Sequence, residues 1–169
     1  VATQYNQSVL LKIPKDLSNE VIKESITRLV GHHDILRSNY KDGKGSYQHP
    51  INDYYIQASI STEDALASLC QKYQESFDLT TGSLVRFINI NYESDSEDRL
   101  CIIAHHLVID GVSWRILLED LEKLLLDVNH PLPDKQSSFR QWSEGLQRYG
   151  ADLSEEIKNY LSQKFQHFT

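Results

Sequence analysis

The chain has 169 residues, of which 40% are hydrophobic and 24% charged. That excludes collagen-like and wholly disordered classes and fits one domain, or one lobe of a larger one. Seventeen lysines and arginines against 24 acidic residues give a formal charge of −7. With no basic stripe, duplex nucleic acid and anionic membrane surfaces are not the expected partners. A chain of this size buries roughly 70% of its unfolded surface, so it needs neither metal nor disulfide as a staple. No apolar run reaches the ~18 residues of a membrane span.

Tyr5 to Ile13 carries Val9, Leu10, Leu11 and Ile13 ahead of Pro14 and reads as a strand. Ser18 or Asn19 offers a helix cap, followed by Val21, Ile22, Ile26, Leu29 and Val30 at helical spacing, with Gly31 as the stop. Ile35 to Tyr40 reads as a short strand, and Asp42-Gly43-Lys44-Gly45 as a turn returning the chain into Ser46-Tyr47-Gln48. Tyr54 to Ile60 is β-rich. Thr62 caps a helix running to about Phe77, and Asp78, Thr80, Thr81 and Gly82 form a loop. Leu84 to Tyr92 and Arg99 to His105 form the expected antiparallel hairpin across a solvated acidic loop. From Val112 the period turns helical through Ile116, Leu117, Leu121, Leu124 and Leu125. Phe139 to Tyr149 and Leu153 to Phe168 predict two more helices beyond Pro131 and Pro133. The order predicts an α+β fold, with helices packed on a mixed, mostly antiparallel sheet. Neither GxGxxG nor GxxxxGK[ST] is present, so no nucleotide loop is expected.

Cys70 and Cys101 are too few for a disulfide framework, and no secretory signal opens the chain, which favours a reduced, cytoplasmic setting. The absence of methionine, even at position 1, predicts a chain either processed or cut from a longer polypeptide, the second reading being favoured.

The segment richest in chemistry is His105-His106-Leu107-Val108-Ile109-Asp110-Gly111-Val112-Ser113-Trp114, between an apolar strand and an amphipathic helix. Adjacent residues on a strand point to opposite faces, so at most one of the two histidines faces a given site. A histidine exchanges protons near neutral pH. Asp110 either orients a histidine or pairs with an arginine, and Gly111 permits a tight turn. Most His-His pairs pack or sit on the surface, and His32-His33-Asp34 is a second pair in the same chain. Zinc is not expected, because no further ligands follow at zinc spacing. Gly111-Val112-Ser113-Trp114-Arg115 lacks the last glycine of a GxSxG elbow.

HHLVIDGVSW resembles the HHxxxDG motif of the condensation-domain superfamily of nonribosomal peptide synthetases. Tyr5-Asn6-Gln7-Ser8-Val9-Leu10-Leu11 resembles the NQS strand of its epimerization branch, and Leu29 to Arg37 resembles the family's HHDxLR segment. Ser113 to Leu121 is similar to the epimerization pattern, and Val112 stands where condensing relatives more often carry an aromatic.

The resemblance implies a chloramphenicol-acetyltransferase-like lobe. Residues 1–169 would be most of the N-terminal lobe, with the opening segment and second lobe absent. It implies epimerization of an L-aminoacyl or peptidyl thioester by removal and return of the Cα proton. The substrate would ride on the phosphopantetheine arm of a partner carrier domain, with no cofactor or metal of the chain's own. His106 would be the catalytic acid/base or hold the enolate. His105 would be buried and structural, and Asp110 a bend-fixing carboxylate paired with Arg37. The second acid/base would come from the second lobe, leaving this chain alone inactive. The alternatives are a condensation domain joining two carrier-bound substrates, a free acyltransferase, and a non-catalytic carrier-docking lobe.

Overall fold

In this computed structural model, residues 5–41, 44–46, 54–80, 83–134, 137–152 and 155–165 are described, and the chain divides into two compact units, 1–133 and 134–169. The first unit runs β1 (Asn6–Pro14), α1 (Asn19–His32), a 3-10 turn (Asp34–Arg37), β2 (Asn39–Lys41), β3 (Lys44–Ser46) and β4 (Tyr55–Ile60). It continues through α2 (Glu63–Gln74), β5 (Val85–Tyr92), β6 (Glu97–His105) and α3 (Gly111–Leu126). The second holds α4 (Phe139–Asp152) and α5 (Glu155–Phe165).

The main sheet has the order β1-β6-β5-β4. β6 pairs antiparallel with β1 and β5, and β4 joins β5 in parallel through the α2 crossover. The fold is therefore α+β with a mixed sheet, as the sequence predicts. Every residue of β6 from Arg99 to His105 is buried, which explains the unbroken apolar run Leu100 to Ala104: a strand covered on both faces cannot alternate with polar residues. α2 covers one face, where Cys70 Sγ lies 3.5 Å from Cys101 Sγ. The opposite face carries α1 and α3, tied together where Ser25 Oγ donates to the Leu124 carbonyl at 2.9 Å. Phe87, Ile102, Leu121 and Leu124 belong to the core between these layers.

Local signals explain the element starts. Ser18 Oγ accepts from Val21 N–H and Thr62 Oγ1 from Ala65 N–H, each satisfying a donor that the helix leaves free. β2 pairs with β3 across residues 42 and 43, which lie outside the described residues, as do Tyr47, Gln48, Thr81, Gly82 and Leu153.

Four expectations are corrected. Gly31 does not stop α1, which runs on to His32. Asp34 to Arg37 is a 3-10 turn instead of the start of a strand. α2 ends at Gln74, and Phe77 is buried beyond it. Val112 and Ile116 are exposed, so α3 buries Leu117, Leu121 and Leu124 alone from the expected stripe. The acidic loop is exposed at Glu93, Ser94 and Ser96, as expected. Asp95 pairs with the buried Arg99 guanidinium, which holds its carboxyl down to about 2.

Taken by itself, the second unit presents Phe139, Trp142, Leu146 and Tyr149 to solvent along one face of α4. Tyr149, Tyr160 and Phe165 are exposed, whereas helix packing was expected to cover them.

Candidate active site

The site begins where β6 runs out. His105 N–H donates to the Leu84 carbonyl on one side at 2.9 Å, and His106 N–H to the Tyr5 carbonyl on the other at 2.8 Å. This alternation continues the central-strand ladder one residue past β6. The chain then turns: Val108 N–H returns to the His105 carbonyl at 2.9 Å, and α3 starts at Gly111.

His105 is 4% exposed. Its Nδ1 accepts from Leu107 N–H at 3.2 Å, so in the neutral ring the proton sits on Nε2. Among the described residues that Nε2 has no partner, and neither has Asn6 Oδ1, on the residue facing His105 in the β1–β6 register. Burial pushes the His105 imidazole below the ordinary histidine range, and the nearby His106 adds to it. A buried neutral ring whose Nδ1 is committed to a turn is a structural group.

His106 is half-buried and lies across from Tyr5, with ring centroids 5.0 Å apart and planes 11° apart. Neither ring nitrogen hydrogen-bonds to the described residues, so both are open to exchange a proton with a substrate. The two histidines thus separate as strand alternation requires, one inward and one toward the open side. Nearby, Trp114 Nε1 donates to Gln7 Oε1 at 2.7 Å. This bond ties the first turn of α3 to β1 across 107 positions of sequence.

Asp110 departs from expectation. It is exposed, and its Oδ1 accepts from both Ser113 Oγ at 2.6 Å and Ser113 N–H at 2.7 Å. These bonds lower its carboxyl below the usual range, the hydroxyl foremost. Asp110 is the N-cap of α3, and it does not form the expected pair with Arg37, whose Nε donates to the Val30 carbonyl at 3.2 Å. The carboxylate is the nearest acceptor for donors that the helix cannot satisfy itself. Gly111 is the first helical residue, and a Cβ there would meet nothing within 4 Å. The tight turn falls instead at residues 106–108.

His33 Nε2 lies 3.0 Å from Asp120 Oδ2, and Lys123 Nζ lies 3.5 Å from Oδ1. His32, His33 and Asp120 bring three candidate metal-ligand atoms within 4.8 Å of one another. The Asp120 carboxylate already faces one imidazole and one ammonium of the chain. An apolar groove of about 580 Å³ runs between β1 and α3, lined in part by Leu11, Ile13, Leu118 and Leu125; His106 does not line it. Asp120 and the bracing by Tyr5 and Gln7 were missed from sequence, because each depends on pairing across more than 80 residues.

The site is thus a histidine at the end of a central strand, braced by an edge strand and followed by a capped helix. The family model of the condensation domain matches residues 2–169, and the chain belongs to that family of nonribosomal peptide synthetase domains. It is 33% identical over 174 residues to tyrocidine synthase 1 of Brevibacillus parabrevis, covering 94% of this chain and 16% of the relative. It is 31% identical over 159 residues to gramicidin S synthase 1 of Brevibacillus brevis, covering 86% and 14%. Among solved structures, the epimerization domain from the third module of tyrocidine synthetase B matches with a TM-score of 0.80 and 30% identity, over 99% of this chain and 41% of that one. A starter condensation domain of the rhizomide synthetase matches with a TM-score of 0.78 and 16% identity, over 96% and 43%. The chain thus spans less than half the length of these solved neighbours. Among the described residues no helix is long and apolar enough to cross a membrane.

Proposed function

We propose that this chain carries the catalytic-histidine lobe of an epimerization domain, acting on an L-aminoacyl or peptidyl thioester held by a carrier domain. The observation that supports it most is the 30% identity to an epimerization domain across nearly the whole chain, with His106 placed half-exposed and its ring nitrogens uncommitted. His106 takes the Cα proton as general base or returns it as acid. Removal leaves an enolate whose negative charge sits on the thioester oxygen, and donors aimed at that oxygen lower the barrier. His105 holds the turn from beneath, Asp110 fixes the start of α3, and Gly111 and Arg37 complete the motif segments.

Inversion needs proton exchange on both faces of Cα, so a second acid/base comes from outside this chain, in a second lobe. The pantetheine arm belongs to the carrier, and the chain uses no cofactor or metal of its own. The chain alone is inactive or nearly so.

The experiment uses the complete domain with its carrier loaded with an L-aminoacyl thioester, run in D₂O. Deuterium at Cα with D product, both lost in His106→Ala, is the expected result. Amide formation with a second loaded carrier, and no exchange, would move the assignment to condensation, the reaction for which the family is named.

A further inference from the structure

We propose that Tyr5 is a positioning residue for His106, setting the plane of its imidazole. The inference rests on the role given to His106 above and adds a residue to that site. Two contacts from one residue converge on this histidine. The Tyr5 carbonyl accepts the His106 N–H at 2.8 Å, fixing the backbone. The Tyr5 ring lies nearly parallel to the imidazole, at 5.0 Å and 11°. That separation lies in the range of offset-stacked aromatic pairs.

The ring contact matters because little else holds the imidazole. Its nitrogens make no hydrogen bond to the described residues, so no directional polar contact among them fixes rotation about its side-chain torsions, and the Asp110 carboxylate acts on it only through space. A general base works only while its lone pair points along the bond being broken, and a small angular error lowers the rate. Tyr5 covers one face of the ring and leaves the nitrogen edge free. A hydrogen bond to a ring nitrogen would orient the ring equally well but would occupy the atom that must exchange the proton.

Tyr5 is 64% exposed, so it is not there to fill the core. Its neighbours on β1 divide the remaining bracing. Asn6 faces His105 in the strand register, with its Nδ2 donating to the Gln74 carbonyl at 2.7 Å, and Gln7 accepts from Trp114. Tyr5 and Gln7 thus tie β1 to His106 and to the first turn of α3, while Asn6 ties it to the end of α2. Among the described residues, Tyr5 alone stacks on the imidazole of His106. Its backbone bond survives any substitution, so side-chain variants isolate the ring.

The test uses the complete domain, labelled with ¹³C-histidine, with its loaded carrier. The His106 resonance is assigned by its loss in His106→Gln. Tyr5→Leu is expected to move that resonance downfield, as the aromatic ring current disappears. It should lower kcat for Cα exchange about tenfold at unchanged KM, as expected for misorientation rather than lost binding. Tyr5→Phe, which keeps the ring and removes the hydroxyl, is expected to restore both readouts. The proposal is overturned by an unmoved resonance in Tyr5→Leu, by wild-type kcat in that variant, by equal losses in the two variants, or by an effect on KM alone. If the wild type exchanges no deuterium, it is the epimerase reading that falls. Amide formation then supplies kcat, and the same contrast between leucine and phenylalanine decides the role of Tyr5.

Discussion

The chain contains the dipeptide His-His twice, and the two copies end in opposite circumstances. At the end of α1, His33 is spent on Asp120, a carboxylate whose side chain is only 5% exposed, and His32 meets the His33 ring edge-on. At the end of β6, His105 is sealed inside, while neither ring nitrogen of His106, beside Tyr5, has a partner among the described residues. The difference comes from the element that delivers them. Consecutive residues at a helix end project about 100° apart and share a neighbourhood, whereas strand residues diverge to opposite faces. Strand delivery therefore yields one anchored and one available histidine, a division of labour the helical pair does not achieve.

Substitutions sharpen this contrast, beginning with the strand pair. His106→Ala is expected to lower Cα exchange in the complete domain by about 10²–10⁴-fold, the usual worth of a positioned acid/base, while moving stability by less than about 0.5 kcal/mol. His105→Ala should do the reverse in denaturation, costing about 2–3 kcal/mol through the cavity left under the turn. Equal stability losses in the two variants would erase the distinction between them.

At the helical pair, Asp120→Ala is expected to cost about 1 kcal/mol in a urea titration, because it removes a nearly buried carboxylate that faces His33 and Lys123, while water still reaches part of the His33 ring. It should not affect exchange by His106. Loss of exchange without loss of stability would make the helical pair part of the chemistry.

Titration separates the pairs more gently. The depressed pKa of His105 means that the unfolded chain binds the proton first. Its contribution to stability is therefore complete above the ordinary histidine value of about 6.5 and falls as pH drops through it toward the folded-state value. Melting temperatures between pH 7 and 5 should show this slope in the wild type and a smaller one in His105→Ala. An unchanged slope would assign it to other groups.

The smallest effect is expected at Gly111. A methyl group there has open space, so Gly111→Ala should change stability by no more than about 0.5 kcal/mol. If exchange in the complete domain nonetheless falls, the glycine serves a close approach by substrate rather than a turn.

Much of the architecture was legible because it is local. Ser18 and Thr62 sit one residue ahead of their helices, and the hydroxyl needs only its own next turn to satisfy a free N–H. The β5–β6 hairpin could be read from two apolar runs about a loop. The 3-10 turn at Asp34–Arg37 was mistaken for strand because four residues show too little of either period to separate them. Gly31 misled because glycine inside a helix costs only about 1 kcal/mol relative to alanine, which packing of Leu29 and Val30 outweighs.

The candidate site was legible in its motif and not in its wiring. Asp110 was expected to seek Arg37, yet the closest donors belong to Ser113, three residues on. Cys70 and Cys101, 31 positions apart, meet at 3.5 Å because the α2 crossover lays one over the strand that carries the other.

By itself, the sequence determined the order of the main-sheet strands and the helices, the caps at Ser18 and Thr62, the mixed α+β class and the segment that holds the candidate catalytic histidine. Each of these is set by side-chain periodicity or by hydrogen bonds within a few residues. Only the tertiary structure decided that Tyr5 lies against the His106 ring and that Gln7 ties β1 to the first turn of α3. Those outcomes depend on the β1–β6 register, which brings residues about a hundred positions apart into contact and which no local pattern encodes.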